Sequence, residues 1–434
     1  MLDSVQRAEW DPLREVLIHR PGIEMFFGLL EPYTFLYEGA FSLSGALHEH
    51  RALEQALTDA GIRVHRLERW VVQSTPDHPE LVAKVRAKVL RTIRYTGPSE
   101  MVRTARASLR RNLDRFDAET LFNVLFLRPT IQLERRTGAR AMLPRIRLES
   151  PLANLYFLRD QQALTAGGFV FGRMSKPQRR DEPPLTKLVL RTMGVRVAGT
   201  IRPPGTFEGG DFLPAGPFAL IGQGDRTNRS GVEQFLRLPI GTDEIAVVHQ
   251  PPHPLIPGDV GDPMVDMHVD TYVNFAGEEV AVGCVPLLRA ARVDVYGPRG
   301  RRGRPRVGTS TLYDYLRSKR FRIVPISILE QLSYASNFLC LRDRRILSFD
   351  VGRIAPRVLG GLAAAARDDP RRYGELHRQA VRDRARLAGR RQFFPAKPEL
   401  VDLGVRVRTI RLEQLTSGYG AAHCMTCPLR RDPA

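Results

Sequence analysis

Near its end the chain places a cysteine in its least encumbered backbone: Gly418-Tyr419-Gly420-Ala421-Ala422-His423-Cys424-Met425-Thr426-Cys427-Pro428. Glycine and alanine let a backbone approach a ligand closely, so Cys424 can project its sulfur into a cleft as a nucleophile. The same residues also permit a buried thiol, a disulfide, or half of a zinc site made by Cys424, Cys427 and His423. Zinc needs a second ligand pair at similar spacing, and the other cysteines, Cys284 and Cys340, stand apart from each other and from any histidine pair. The sequence disfavours metal, and the weight on Cys424 depends on partners upstream.

Four further stretches put polar residues at the ends of expected strands, where α/β scaffolds place chemistry. They are Asn154-Leu155-Tyr156-Phe157-Leu158-Arg159-Asp160, Glu208-Gly209-Gly210-Asp211, Gly222-Gln223-Gly224-Asp225-Arg226-Thr227-Asn228 and Met267-His268-Val269-Asp270-Thr271. On a strand, His268 and Asp270 share a face because side chains alternate. Singly, each has a bland alternative: Asp160 a turn residue, Glu208 and Asp211 a loop, His268 a satisfied core histidine, Arg226 a surface charge. With Cys424 they form one chemical set, a thiolate nucleophile, an acid/base histidine oriented by a carboxylate, and spare carboxylates for a cation. Two or more spare carboxylates suit a planar guanidinium, whose N–H fork each can pair bidentately.

These residues need a scaffold of short strands. The apolar run Val16-Leu17-Ile18, closed by Pro21-Gly22, reads as a strand; Ser44 to Ala60 carries helical spacing and Gly61 stops it; Ile62 to Leu67 alternates as a strand. From Asp77 to about Arg140 the pattern predicts an all-helical excursion. Strands follow at Leu155–Leu158, Gly168–Phe171, Arg196–Ala198, Phe218–Gly222, Glu244–Val248, Thr271–Phe275, Glu279–Val285, Arg322–Ile326, Phe338–Leu341, Ile346–Phe349 and Val405–Ile410, with helices at Thr186–Met193 and Ser230–Leu236. A second, Ala/Arg-rich helical stretch spans Arg357 to Arg390. Hairpin-plus-helix units suggest an α/β array closed around a centre, without a fixed-period repeat.

Composition narrows the class. The chain has 434 residues, 43% hydrophobic and 26% charged, an ordinary globular balance. Four cysteines in this length make no disulfide framework, and no apolar run approaches the roughly 18 residues that span a bilayer, so the expected place is the cytoplasm. The net charge of +19 invites a search for nucleic acid, yet lysine occurs only at 84, 88, 176, 187, 319 and 397, so arginine bias is the favoured explanation. The basic loop Gly300-Arg301-Arg302-Gly303-Arg304-Pro305-Arg306 has the look of a minor-groove AT-hook and is expected to be a solvated turn.

In this order and spacing, the motifs resemble those of the arginine deiminase family of the guanidino-modifying pentein superfamily. The opening Leu13-Arg14-Glu15-Val16-Leu17-Ile18-His19-Arg20-Pro21-Gly22 belongs to the match, as do the helical insertion before Asn154, Phe157 to Asp160, Glu208 to Asp211, Met267 to Thr271 and His423 to Pro428. The resemblance implies an α/β fold, a five-bladed β/α propeller with the site on its axis. It would form one catalytic domain over 1–434, with helical insertions at 77–145 and 357–390. It implies that Cys424 attacks the guanidinium carbon, Asp160 and Asp270 hold its nitrogens, His268 serves as acid and base, and Glu208 supports it. Asn154, Arg179 and Arg226 match positions that grip a substrate carboxylate, and Phe157 packs on the substrate stem. No metal or organic cofactor is implied, and a homo-oligomer is left open. The expected reaction is L-arginine to L-citrulline and ammonia through a thiouronium. An amidinotransferase or arginine dihydrolase on the same site, or a basic nucleic-acid-binding protein on this scaffold, are the alternatives. Tyr419 stands where the family has an arginine, and Tyr37-Glu38-Gly39-Ala40 replaces paired aspartates of an N-terminal gating loop.

Overall fold

Parallel neighbours in a sheet cannot be joined by a tight turn, so each parallel strand pair in this chain brackets one or more helices. The computed structural model describes residues 4–74, 79–134, 145–148, 150–258, 267–301 and 303–433. Within it, five of the sheets repeat one hydrogen-bonding pattern in one chain order, the parallel neighbour following the central strand. A central strand runs antiparallel to one neighbour and parallel to another. The central strands are Leu13–Ile18, Gly168–Phe171, Phe218–Gln223, Val280–Cys284 and Arg345–Phe349. Their parallel neighbours are Arg63–Arg66, Val197–Thr200, Glu244–His249, Arg322–Ile326 and Arg406–Ile410.

The central strands form because they are short apolar runs that can be buried on both faces. Gly168–Phe171 and Val280–Cys284 are buried along their full length. Each fully buried Val, Leu, Ile or Phe contributes about 1.5–3 kcal/mol relative to exposure. The helix Leu43–Asp59 begins at Ser42, whose hydroxyl accepts from the Gly45 amide, and buries Ala46, Leu53, Ala56 and Leu57 on one face. The last strand, Cys427–Arg431, returns to pair with Leu13–Ile18 at Leu17↔Cys427 and Val16↔Pro428. That pairing carries Cys424 to the start of the chain.

Several expected elements differ. Leu155–Leu158 is a run of turns, not a strand, and His268 leads into a single 3-10 turn, Val269–Thr271, not a strand. Both stretches carry chemistry, and a turn frees side chains from strict alternation. The excursion is not all-helical: Arg94–Thr96, Pro129–Gln132 and Arg145–Leu148 make a small sheet beside the helices Pro79–Thr92, Ser99–Asn112 and Ala118–Leu127. Positions 75–78 and 135–144 of that stretch lie outside the described residues. The second helical stretch is a pair, Val351–Asp368 and Pro370–Arg390, with Asp369 capping the second helix.

The basic loop at 300–306, of which position 302 lies outside the described residues, connects the paired strands Arg292–Tyr296 and Arg306–Thr311, which widen the third sheet. Arg304 donates to the carbonyls of Asp243 and Gly297, at 2.7 and 3.0 Å, and Arg306 pairs with Asp294 at 2.6 Å. Among the described residues no helix is long and apolar enough to cross a membrane.

Candidate active site

The chemistry-bearing segments stand at one station of the repeated unit. In each of the five sheets the antiparallel neighbour of the central strand is preceded, within five residues, by a polar group. Asp160 precedes Gln162–Thr165; Glu208 and Asp211 precede Phe212–Ala215; His268 and Asp270 precede Val273–Gly277; Cys424 precedes Cys427–Arg431. Asn337 precedes Leu339–Arg342 in the fifth. The sequence reading did not single it out, although a polar Ser336-Asn337 ahead of the apolar run Phe338–Leu341 repeats the signal that marked the others.

Close backbone approach makes the convergence feasible. Gly209 donates its amide to the Asp160 carbonyl at 2.9 Å, and a Cβ there would lie 2.1 and 2.2 Å from the carbonyl oxygens of Arg159 and Gln162. Gly209→Ala is therefore expected to destabilise the fold by about 1–3 kcal/mol or more, read by urea unfolding. A variant within ~0.5 kcal/mol of the parent would contradict this packing.

Cys424 is buried, with Sγ 3.1 Å from Asn337 Nδ2 and 3.5 Å from Asp270 Oδ2. Asp270 Oδ2 also meets His423 Nδ1 at 2.8 Å, while Asp160 Oδ2 meets Arg179 Nη1 at 2.5 Å. The second oxygens, Oδ1 of Asp160 and Oδ1 of Asp270, are buried and have no hydrogen-bond partner among the described residues. Buried acceptors are normally satisfied, so two orphaned carboxylate oxygens near one thiol form a receptor for N–H donors. Across the site, His268 Nε2 lies 3.0 Å from Glu208 Oε2, and Glu208 Oε1 accepts the Ser175 amide at 2.9 Å.

Burial opposes charge on all these groups, and partners decide the outcome. Burial pushes the Cys424 thiol well above its ordinary value, and the negative charges of Asp270 and Asp160 push it further; the Asn337 hydrogen bond acts in the opposite direction. Burial lowers His268, but the Glu208 hydrogen bond and the charges of Asp211 and Asp160 outweigh it, raising the imidazole to about 9. Glu208 resists burial through His268, Arg226 and Arg179 and is held at about 2. Burial raises Asp211 to about 6. For Asp270 burial is outweighed by His423, which holds the carboxylate below its usual range. The resting pair is thus a neutral thiol and an imidazolium.

Of the residues expected around the substrate's other end, Arg179 is already engaged. Its Nη1 bonds Asp160, its Nε and Nη2 bond Glu182 at 3.1 and 2.8 Å, and the carbonyls of Asn154 and Phe157 lie 3.4 Å from Nη2. With acceptors on all three nitrogens it stands behind Asp160 and holds that carboxylate in place. Arg226 is buried beside Glu208, with Nε 3.3 Å from Asp225 Oδ2 and Nη2 4.0 Å from Met267 Sδ. Asn154 Nδ2 donates to the Phe35 carbonyl at 2.6 Å, tying the Asp160 turn to the N-terminal segment. Phe157 packs against Tyr156 with ring centroids 4.0 Å apart and planes tilted by 34°. A Cβ on Gly420 would lie 2.9 Å from Phe157 and 3.2 Å from Cys424 Sγ, so the loop before the cysteine rests on both.

Glu9 and Arg357 were missed because nothing near them in sequence marks them. Glu9 is buried against Arg159 Nη1 at 3.3 Å, His423 Nε2 at 3.5 Å and Arg431 Nη2 at 3.6 Å. Glu38, in the altered N-terminal loop, accepts from Tyr334 and pairs with Arg357 Nε at 3.0 Å; Arg357 Nη2 reaches Thr416 Oγ1 at 3.0 Å. The helix Val351–Asp368 thereby joins the two segments flanking the site. Of the residues weighed as half of a zinc site, Cys427 packs in an apolar cluster with Leu17 while His423 turns to Asp270.

A family model described as arginine deiminase matches residues 33–431. The chain belongs to the arginine deiminase family. The arginine deiminase of Halobacterium salinarum is 25% identical, the alignment covering 98% of this chain and 96% of that protein. That of Mycobacterium tuberculosis is 23% identical, covering 98% of each. Among solved structures, the N-terminal domain of ArgZ covalently bound to a reaction intermediate superposes with a TM-score of 0.51 at 12% identity, over 96% of this chain and 98% of that one. That likeness speaks to the fold alone, a mixed α/β architecture shared with that domain. As a member of the arginine deiminase family the chain is a hydrolase that cleaves C–N bonds of guanidino groups.

Proposed function

We propose that this enzyme converts L-arginine and water to L-citrulline and ammonia, with Cys424 as the nucleophile. The observation that carries the reading is the pair of buried, unpartnered Oδ1 atoms on Asp160 and Asp270, within electrostatic reach of one thiol. A guanidinium supplies N–H donors to both and, being cationic, offsets the two negative charges that oppose the thiolate. Substrate binding then lets Cys424 lose its proton to solvent, because His268 already carries one. Sγ attacks the guanidinium carbon, and the tetrahedral adduct expels one nitrogen as ammonia, which takes its departing proton from His268. The remaining thiouronium is attacked by water, whose proton returns to His268, and the C–S bond breaks to free the ureido product and the thiol.

Glu208 keeps His268 charged for the first step, and Arg179 holds Asp160 in place. Arg226 and Asn154 would face the amino-acid end of the substrate, and Phe157 its stem. In this reading the five equivalent sheets are the blades of a propeller whose axis passes through Cys424.

Because His268 is raised to about 9, its proton is present at neutral pH and is lost as the pH rises through that value. The rate is expected to fall on that alkaline limb. Glu208→Gln removes the partner that raises His268 and leaves burial to lower it, so the limb should shift to lower pH by about one unit or more. The kcat/KM profile of both proteins checks this; an unmoved limb would separate His268 from Glu208. The products test the reaction itself. Arginine alone should give citrulline and ammonia in equal amounts, whereas ornithine would indicate a dihydrolase and an amidinated amine acceptor a transferase.

A further inference from the structure

Four of the five equivalent strand starts deliver residues that the proposed chemistry uses, and the fifth delivers Asn337. We propose that Asn337 is a catalytic residue whose side-chain amide donates a hydrogen bond to the Cys424 sulfur and stabilises the attacking thiolate. This inference rests on the reading of Cys424 as nucleophile.

An asparagine amide could in principle face the sulfur with either end, and its contacts decide which. Asn337 Oδ1 accepts two backbone amides, Ala421 at 2.8 Å and Cys424 at 3.2 Å. Turned over, the NH2 group would meet two donors. The oxygen is therefore held toward the loop, and Nδ2 is the end that meets Sγ, at 3.1 Å. The Asn337 backbone carbonyl takes a third loop amide, His423, at 3.1 Å. One buried residue thus fixes the turn that carries the cysteine and points a donor at its sulfur.

The donor is itself anchored. Asn274 Nδ2, on the fourth sheet, bonds the carbonyls of Ser336 and Phe338 at 2.9 Å each, clamping the backbone on both sides of Asn337. Ser336 Oγ donates to the Asp270 carbonyl at 3.0 Å, so the same clamp sets the spacing between the donor to sulfur and the guanidinium carboxylate. Hydrogen bonding to a charged form favours that form, and a rigid donor costs no reorganisation when the thiolate appears. Asp270 and Asp160 oppose the thiolate until a cation binds, whereas Asn337 favours it throughout.

Asn337→Asp keeps the shape and the acceptor for the loop amides and replaces the donor to sulfur. It should lower kcat for arginine by about 10²–10³-fold, the loss typical of one preorganised donor, with KM much less affected. The pH at which Cys424 becomes half-maximally reactive toward iodoacetamide should rise. Asn337→Ala, which adds no buried charge, should move kcat and the alkylation profile in the same directions and decides the matter if the Asp variant does not fold. Parent-like kcat in a folded variant, or an unmoved alkylation profile, overturns the proposal. Full arginine turnover by Cys424→Ala would instead remove the nucleophile reading, whatever the Asn337 variants do.

Discussion

Replacing Cys424 by alanine is expected to abolish arginine turnover, a loss on the order of 10⁴-fold or more, while leaving the fold intact. The loss is large because no other thiol can stand in. Burial pushes Cys284, Cys340 and Cys427 up to about 12, and all three sit in apolar clusters. The fold survives because the turn around Cys424 is held through its backbone by Asn337 and by the Arg159 amide on the Cys424 carbonyl at 3.0 Å, contacts that do not need the sulfur. Citrulline formation alongside a thermal melt checks both halves. A variant with activity within tenfold of the parent would take Cys424 out of the mechanism.

Asp270→Asn is expected to produce two changes of opposite sign. It removes one of the two carboxylates that would pair the guanidinium, and losing one partner of a buried charge pair costs about 3–5 kcal/mol, so kcat/KM should fall by about 10²–10³-fold or more. The same carboxylate lies 3.5 Å from the cysteine sulfur and helps hold the thiol protonated. Without that charge, Cys424 in the free enzyme should react faster with the neutral reagent iodoacetamide at neutral pH. A general loss of structure would not raise thiol reactivity while keeping a cooperative melt. Parallel loss of turnover and alkylation would mean that Asp270 acts on Cys424 in some other way.

Much of the site was legible because the chemistry interrupts apolar runs. Asp160, Glu208, His268, Asp270 and Cys424 all stand next to short buried strands, and their types together specify a cation with N–H donors. Their local conformation was not legible. Leu155–Leu158 and the residues after His268 have strand-like composition yet fold as turns, because tertiary contacts around Gly209 and Asp211 override a weak local preference. The Val269 amide, for one, is spent on Asp211 Oδ1 at 3.2 Å. Arg179 was readable as a cation near the site but not as one engaged by Asp160 and Glu182, since Glu182 gives no sign in sequence of turning inward. Glu9, Arg431 and Arg357 lay beyond sequence reasoning altogether. Each is an ordinary charged residue whose partner is hundreds of positions away, as in the Arg357–Glu38 pair. Asn337 was within reach, had the polar-then-apolar signal been followed into the fifth sheet.

Covalent catalysis by Cys424 is tested by intact-protein mass spectrometry of enzyme quenched in acid during arginine turnover. A species heavier than the free protein by arginine less ammonia is expected, with the added mass on the peptide containing Cys424 and absent from Cys424→Ala. The mass on any other residue, or sustained citrulline production by Cys424→Ala, would contradict it.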